Sequence, residues 1–259
     1  MGRTKSSMPV MFVGHGNPLN AIEDNEFSAA WKKMAAAVPK PAAILAVSAH
    51  WEARGSFVTA MTAPRTIHDF YGFPEELYQV KYQAPGAPAM WERIRDLAAP
   101  VRTKPDRAWG LDHGTWSVLV QMFPKADIPV VQLSIDRTAD PAGLYDLGQR
   151  LRPLRDEGIL ILGSGNVVHN LRLIDWDGPP FPWATEFDEA VKKAILSGRH
   201  KDLVRFDSLG DAAALSINSE EHYLPLLYVL GGMTPDDRPA FYAEKVWGGS
   251  VSMRSFIAG

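Results

Sequence analysis

Three short apolar runs, 9–14 (PVMFVG), 42–50 (AAILAVSAH) and 158–165 (GILILGSG), end on glycine or a polar residue, and a fourth, 128–135 (IPVVQLSI), has the same composition. Near-continuous β-branched runs of this length mark strands covered on both faces. Helix-patterned segments lie between and after them, at 26–38, 87–97, 115–122, 141–154, 186–196 and 219–230. Strands that alternate with helices need crossover connections, which confines the chain to an α/β fold. The expected architecture is a mainly parallel central sheet with helices on both faces, whose ligands bind beyond the carboxyl ends of the strands. The runs FVTAMT (57–62), LYQVKY (77–82) and 240–258 read as antiparallel additions, so the sheet is expected to be mixed.

No Ser/Gly linker, low-complexity tract or internal repeat divides the 259 residues, so 9–259 reads as a single domain after a flexible start at 1–8. That start carries two positive charges but no apolar segment of a secretory signal. A net charge of −3 provides no basic field for nucleic acid. No apolar run approaches the roughly 18 residues of a membrane helix. A cytoplasmic protein without nucleic-acid or membrane partners is the expectation. The absence of cysteine excludes disulfides, thiolate metal sites and a cysteine nucleophile, and leaves any metal to His, Asp and Glu.

The seven histidines are therefore the residues to place. His15 and His50 each end a strand run, and Gly14 and Gly16 on either side of His15 permit tight turns and close approach. His169 follows 158–165 by a short segment, near a carboxyl end again. His113, after the candidate cap Asp112, and His222, after Ser219, are both expected in first helical turns. Three neutral imidazoles with an open position are what a catalytic metal needs, and His15, His50 and His222 fit that count. A single strand-end histidine is more commonly a hydrogen-bonded structural group; several at equivalent positions favour a shared site. His200, between Arg199 and Lys201 after a glycine stop, reads as a solvated turn. His68 lies in a loop rich in aromatics, where Phe70, Tyr71 and Phe73 are either surface packing or a wall for a ring.

GHGNP (14–18), SAHWE (48–52), HDFYGFP (68–74), LDHGTW (111–116), GSGNVVHNL (163–171) and NSEEHYLPLLY (218–228), in this order, resemble the class III extradiol ring-cleavage dioxygenases. The 4,5-DOPA extradiol dioxygenase-like branch is similar in length and motif order along nearly the whole chain. The resemblance implies an enzyme that opens a catechol-type, DOPA-like ring with O2 at one divalent metal. It implies His15, His50 and His222 as ligands, and His169 either as a further ligand or as an acid/base group beside the metal. His113 matches a position that contacts substrate or oxygen. His68, Phe70, Tyr71 and Asp112 are the candidates for substrate contact.

Better-known class III enzymes use two histidines and a carboxylate, whereas this sequence has His222 at the third position, with Glu220 and Glu221 the alternatives if the helix is turned differently. Three neutral ligands leave the full charge on the ion, a set that also suits zinc-bound water. Fe(II) is the ion ring cleavage needs, and Zn(II) is the competing occupant. A zinc-dependent hydrolase on the same histidines and a non-enzymatic binding protein of the same fold are the alternative readings. Asp112, Glu52 and Glu220 are the nearest carboxylates for orienting ligand imidazoles. Arg65 and Arg172 could hold a substrate carboxylate and Trp116, Trp176 and Trp183 could line a ring pocket, although each reads first as surface or core. Nothing in the sequence sets the oligomeric state.

Overall fold

The computed structural model describes residues 7–259. The first six residues of the expected flexible start lie outside the described residues; Met8 is buried, and its N–H donates to Arg155 O at 3.0 Å.

Among the described residues ten strands occur in chain order: β1 (Val10–Gly14), β2 (Ala43–Ala53), β3 (Ser56–Thr59), β4 (Thr103–Asp106), β5 (Val130–Asp136), β6 (Ile159–Gly165), β7 (Pro239–Tyr242), β8 (Val246–Trp247), β9 (Val251–Ser252) and β10 (Ser255–Ala258). Eight form one sheet in the order β4-β3-β5-β2-β6-β1-β10-β7, while β8 and β9 make a separate ribbon. The four strands read from apolar runs, β5, β2, β6 and β1, are its parallel centre. Antiparallel pairings of β3 with β5, and of β10 with β1 and β7, flank it. The sheet is thus mixed and mainly parallel, as the alternation requires.

The helices are α1 (Glu26–Ala36), α2 (Glu75–Tyr78), α3 (Ala89–Ala98), α4 (His113–Met122), α5 (Pro141–Leu151), α6 (Pro182–Leu196), α7 (His200–Val204), α8 (Asp211–Ser216) and α9 (Leu224–Gly232). They cover both faces. Side chains alternate across a strand, so β1 sends Val10 and Phe12 into the core shared with α3, α5, α6 and α9, and Met11 and Val13 into the core shared with α1 and α4. Helix α9 is buried all round and has no polar face, which is why its sequence reads as a plain apolar run.

Two local expectations fail. LYQVKY is not a strand: 75–78 is a single helical turn started behind Pro74, and Leu77 and Tyr82 are buried as anchors of an irregular loop. The alternation there reflects two loop anchors rather than a pleat. His222 is not in the first turn of α9. Pro225 lies at the start of the helix, where its fixed φ and missing N–H are tolerated, and residues before it form a separate turn closed by Tyr223 N–H to Glu220 O at 2.8 Å. Ser219 Oγ correspondingly donates to Glu221 Oε1 instead of capping a helix.

The carboxyl ends of the central strands are level. Register pairs Gly14 with Gly165 and Ser48 with Ser164. Just beyond that row, Gly165 O accepts the His15 N–H at 3.1 Å and Asn166 N–H donates to His222 O at 2.8 Å. A Cβ on Gly165 would stand 2.1 Å from His222 O; only glycine lets this backbone come so close. Gly16, with φ +56°, turns the chain away directly after His15. In β2 the pairing with β5 slips between Val47 and Glu52, an irregularity of the sort that re-aims side chains at sheet rims, here across the stretch that carries His50.

Candidate metal centre

His15, His50 and His222 converge at this edge. Their ring centroids are 5.0, 5.3 and 5.1 Å apart. One potential ligand atom from each lies within 4.8 Å of the other two. Each ring is approached on its Nδ1 side by a different oxygen. Ser164 Oγ is 3.0 Å from His15 Nδ1 and donates its own proton to Gly114 O, so it accepts from the imidazole. Glu221 Oε1 is 3.0 Å from His222 Nδ1, and Asp69 Oδ2 is 3.6 Å from His50 Nδ1. A proton on Nδ1 leaves Nε2 bare, and the Nε2 atoms of His15 and His50 face each other at 3.1 Å. Two lone pairs at that distance repel unless an acid lies between them. Tetrahedral coordination at about 2.0–2.1 Å places neighbouring ligand nitrogens close to this far apart. The chain's own atoms therefore fit a divalent metal held by three imidazoles.

Burial keeps these rings neutral. It lowers His15 and His222 well below the ordinary histidine value, and the neighbouring imidazoles lower them further. His50 is lowered to about 3, chiefly by burial and secondarily by His113, with Asp69 opposing. Neutral rings can ligate without first losing a proton.

Two further histidines adjoin the trio. His169 stacks on His222 with centroids 3.5 Å apart and planes 8° from parallel, and burial lowers it to about 4. Its backbone is fixed by N–H donation to Ser216 O at 3.0 Å and a bridge to Val251. His113 begins α4, where Asp112 accepts the Thr115 N–H, and its ring lies 3.8 Å from that of His50. Asp69 holds His113 from the other side: Oδ1 accepts the His113 backbone N–H at 2.9 Å, and Oδ2 lies 3.0 Å from Nδ1, off the line of a hydrogen bond. The Asp69 carboxyl stays below its usual range because these contacts with His113, aided by His50, outweigh the opposing effect of burial.

The remaining sequence candidates divide. Phe70 presents its ring 5.5 Å from His113, nearly edge-on. His68 does not join the cluster: its Nε2 faces Val80 O at 3.0 Å and its ring packs on Trp116. Tyr71 is 91% exposed. Asp112 is buried and engaged by Gln132 Nε2 at 2.7 Å and the α4 cap. Glu221 rather than Glu220 reaches His222, and Glu52 faces Arg137 at 3.7 Å. Trp116 is core, donating to Ile67 O at 2.7 Å, while Trp176 lies against Trp247 and Trp183 against Phe181. Arg65 binds Trp109 O at 3.2 Å. Sequence reasoning missed Asp69 and Ser164, and named Glu221 as an alternative ligand rather than as the partner of His222. Each lies in a motif already quoted, and the available signal was that ligand imidazoles need an acceptor on their second nitrogen.

The buried histidines make loss of stability in acid a direct consequence. Unfolded histidines bind protons below about pH 6.5, whereas His50 and His169 in the folded chain do so only near 3 and 4. The unfolded state therefore carries more protons in between, and stability falls as pH drops through that window. Urea midpoints of the metal-free protein should decrease steadily from pH 7 to pH 4.5; a flat profile would show that these rings are not buried neutral.

Comparison with known proteins agrees with this geometry. Residues 7–251 match the family described as the catalytic LigB subunit of aromatic ring-opening dioxygenase. A protein of Escherichia coli strain K12 named 4,5-DOPA dioxygenase extradiol is 47% identical over 263 residues, covering 99% of this chain and 96% of that protein. One of the same name from Beta vulgaris is 37% identical, covering 97% and 96%. A crystal structure of an uncharacterized Escherichia coli K12 protein superposes with a TM-score of 0.85 at 43% identity, over 97% of this chain and all of that one. A histidine cluster at the carboxyl edge of an α/β sheet and a match over nearly the whole chain lead to one conclusion: the protein belongs to the LigB family of aromatic ring-opening dioxygenases and is an extradiol dioxygenase.

Proposed function

We propose that the protein opens the ring of a DOPA-like catechol with O2 at a single Fe(II) held by His15, His50 and His222. The observation that carries this reading is the pair of Nε2 atoms facing each other at 3.1 Å, with a ligand atom of a third imidazole within 4.8 Å of those of the other two and two more histidines alongside. Bound Fe(II) supplies Lewis acidity and a route for electrons between an ionised diol and O2, of which Zn(II) supplies only the first.

The chain's own residues bind, orient and move protons. His169, neutral and stacked on His222, is placed to accept a proton from a substrate hydroxyl and return it later in the reaction, the work for which imidazole is best suited. His113, held through its backbone N–H by Asp69, whose other oxygen lies 3.0 Å from its Nδ1, offers a second polar contact across the cluster. Phe70 gives an edge-on apolar surface beside His113 for a ring to rest against. The names of the Escherichia coli and Beta vulgaris relatives support a substrate of the DOPA class. The all-imidazole ligand set also favours a second reading, a zinc hydrolase, in which a bound Zn(II) would lower the pKa of water and His169 would relay its proton.

Apo-protein loaded anaerobically with Fe(II), mixed with DOPA and then oxygenated, should turn yellow and take up one O2 per diol consumed. Zn(II)-loaded protein should do neither. Absence of O2 uptake with Fe(II) and every catechol tried removes the dioxygenase reading. Replacing His169 with glutamine should lower kcat by about 10²- to 10⁴-fold, the usual worth of an acid/base group, while leaving one equivalent of metal bound. Loss of the metal instead would assign His169 as a ligand.

A further inference from the structure

We infer that Asp69 is a positioning residue that serves two histidines at once, setting the ring orientation of both His50 and His113 and tying the metal centre to the 68–73 loop. This inference rests on the proposed metal centre and goes beyond it, to a residue that lies inside the 68–74 motif but is not among the named site candidates.

The geometry is specific. Asp69 belongs to an otherwise peripheral loop: His68 before it packs on Trp116, and Tyr71 after it projects into solvent. Its carboxylate and the Phe70 ring reach inward to the histidines. One oxygen is used by the His113 backbone N–H at the first residue of α4, where the helix terminus favours an anion. The other lies between two Nδ1 atoms, 3.0 Å from that of His113 and 3.6 Å from that of His50, whose rings are 3.8 Å apart. Neither contact is an aligned hydrogen bond, but a negative carboxylate with only acceptors to offer favours, through its charge, the tautomer with the proton on Nδ1 in both rings. Both Nε2 edges are then bare. For His50 that edge faces His15 Nε2.

His15 and His222 have partners of their own in Ser164 and Glu221, and the Glu221 carboxylate also lies within 4.8 Å of a His169 nitrogen. Asp69 differs in holding the backbone N–H of one of its histidines and in arriving from a loop instead of a strand edge or the turn before α9. An asparagine cannot replace it. With its oxygen on the backbone N–H, its amide would point hydrogens at two Nδ1–H groups; reversed, it would lose the backbone bond.

The test uses the full-length protein with histidine ¹⁵N-labelled. In the metal-free wild type, long-range ¹H–¹⁵N spectra should show Nδ1–H tautomers for His50 and His113, assigned by single substitution of each. Asp69→Asn should shift at least one of them toward Nε2–H, weaken Zn(II) binding in a chelator competition by about 10- to 100-fold, the usual effect of losing such a partner, and lower kcat more than it raises KM. Glu75→Gln, an exposed charge change on the neighbouring turn, should move none of these. An Nε2–H tautomer for His50 in the wild type overturns the inference, whether or not any variant folds. So does Zn(II) affinity unchanged in Asp69→Asn, or equally weakened in Glu75→Gln. The outcome is separable from that of the ring-opening reading: a protein inactive with every catechol whose tautomers and Zn(II) affinity respond as described keeps Asp69 in place and discards the reaction.

Discussion

Replacing His222 with alanine is expected to abolish metal binding and ring opening together while leaving the fold intact. Two imidazoles would remain, His15 and His50, and the ring on which His169 stacks would be gone. What ties residue 222 into the fold is backbone: its carbonyl accepts from Asn166 N–H and lies against Gly165. Neither contact needs the imidazole. A ligand that binds only the folded state adds about 2.7 kcal/mol of stability at a hundredfold excess over its Kd, so wild type should melt several degrees higher with saturating Zn(II). The variant should not respond. Turnover with Fe(II) and a catechol should fall by at least about 10³-fold, roughly 4 kcal/mol of transition-state stabilisation. A variant that still takes up one equivalent of metal and turns over within tenfold of wild type would place the centre elsewhere.

Truncating Arg254 to leucine should cost about 3–5 kcal/mol of stability, the usual penalty for breaking a buried ion pair from one side. Arg254 is 1% exposed. Its Nε bonds Asp188 Oδ2 at 2.9 Å and its Nη2 reaches both Asp188 and Glu189 at 2.5 Å, while Glu244 closes on Nη1. Asp188 is itself buried, and without the guanidinium it would keep only Ser252 Oγ at 2.6 Å. An uncompensated buried carboxylate makes the loss large. Urea unfolding should show a lower midpoint at an unchanged slope. Adding Asp188→Leu should recover part of the loss, since an apolar pair leaves no charge without a partner. A single-variant loss below about 1 kcal/mol would mean that water screens the cluster. Activity should decline only as far as the folded fraction does, although neighbouring Met253 packs against Gly14 and Gly16 on either side of His15.

The parts of the site that were legible in the sequence share a physical origin. An apolar run that stops at glycine or histidine marks where a buried strand meets the rim, and parallel strands put all such ends on one edge. That logic locates His15 and His50 before any coordinates, and His169 soon after β6. It works less well for His222. The expected helix start at Ser219 ignored Pro225, which takes the first turn of α9 and leaves 219–223 as a separate turn. LYQVKY misled because alternate apolar residues anchor a loop as readily as a pleat when the burial they supply is local.

Asp69 lies inside the 68–74 motif, among aromatic residues that give the stronger sequence signal. Its role depends on where a loop folds relative to α4, a contact over 44 positions of chain to His113. No periodicity encodes such a contact. The same holds for Ser164, whose partner His15 is 149 residues away, and for the division of labour between Glu220 and Glu221, which a single step of turn geometry decides.

By itself the amino-acid order determined the layered α/β architecture, the absence of any thiol chemistry and the set of imidazoles from which a metal could be held. Those properties follow from local hydrophobic patterning and from residue type. Only the tertiary structure decided which nitrogen of each ring turns inward, which acceptor holds it there and which of the loop residues come within reach. Ring orientation is set by hydrogen-bond partners contributed from distant segments, and such partners exist only once the chain has packed.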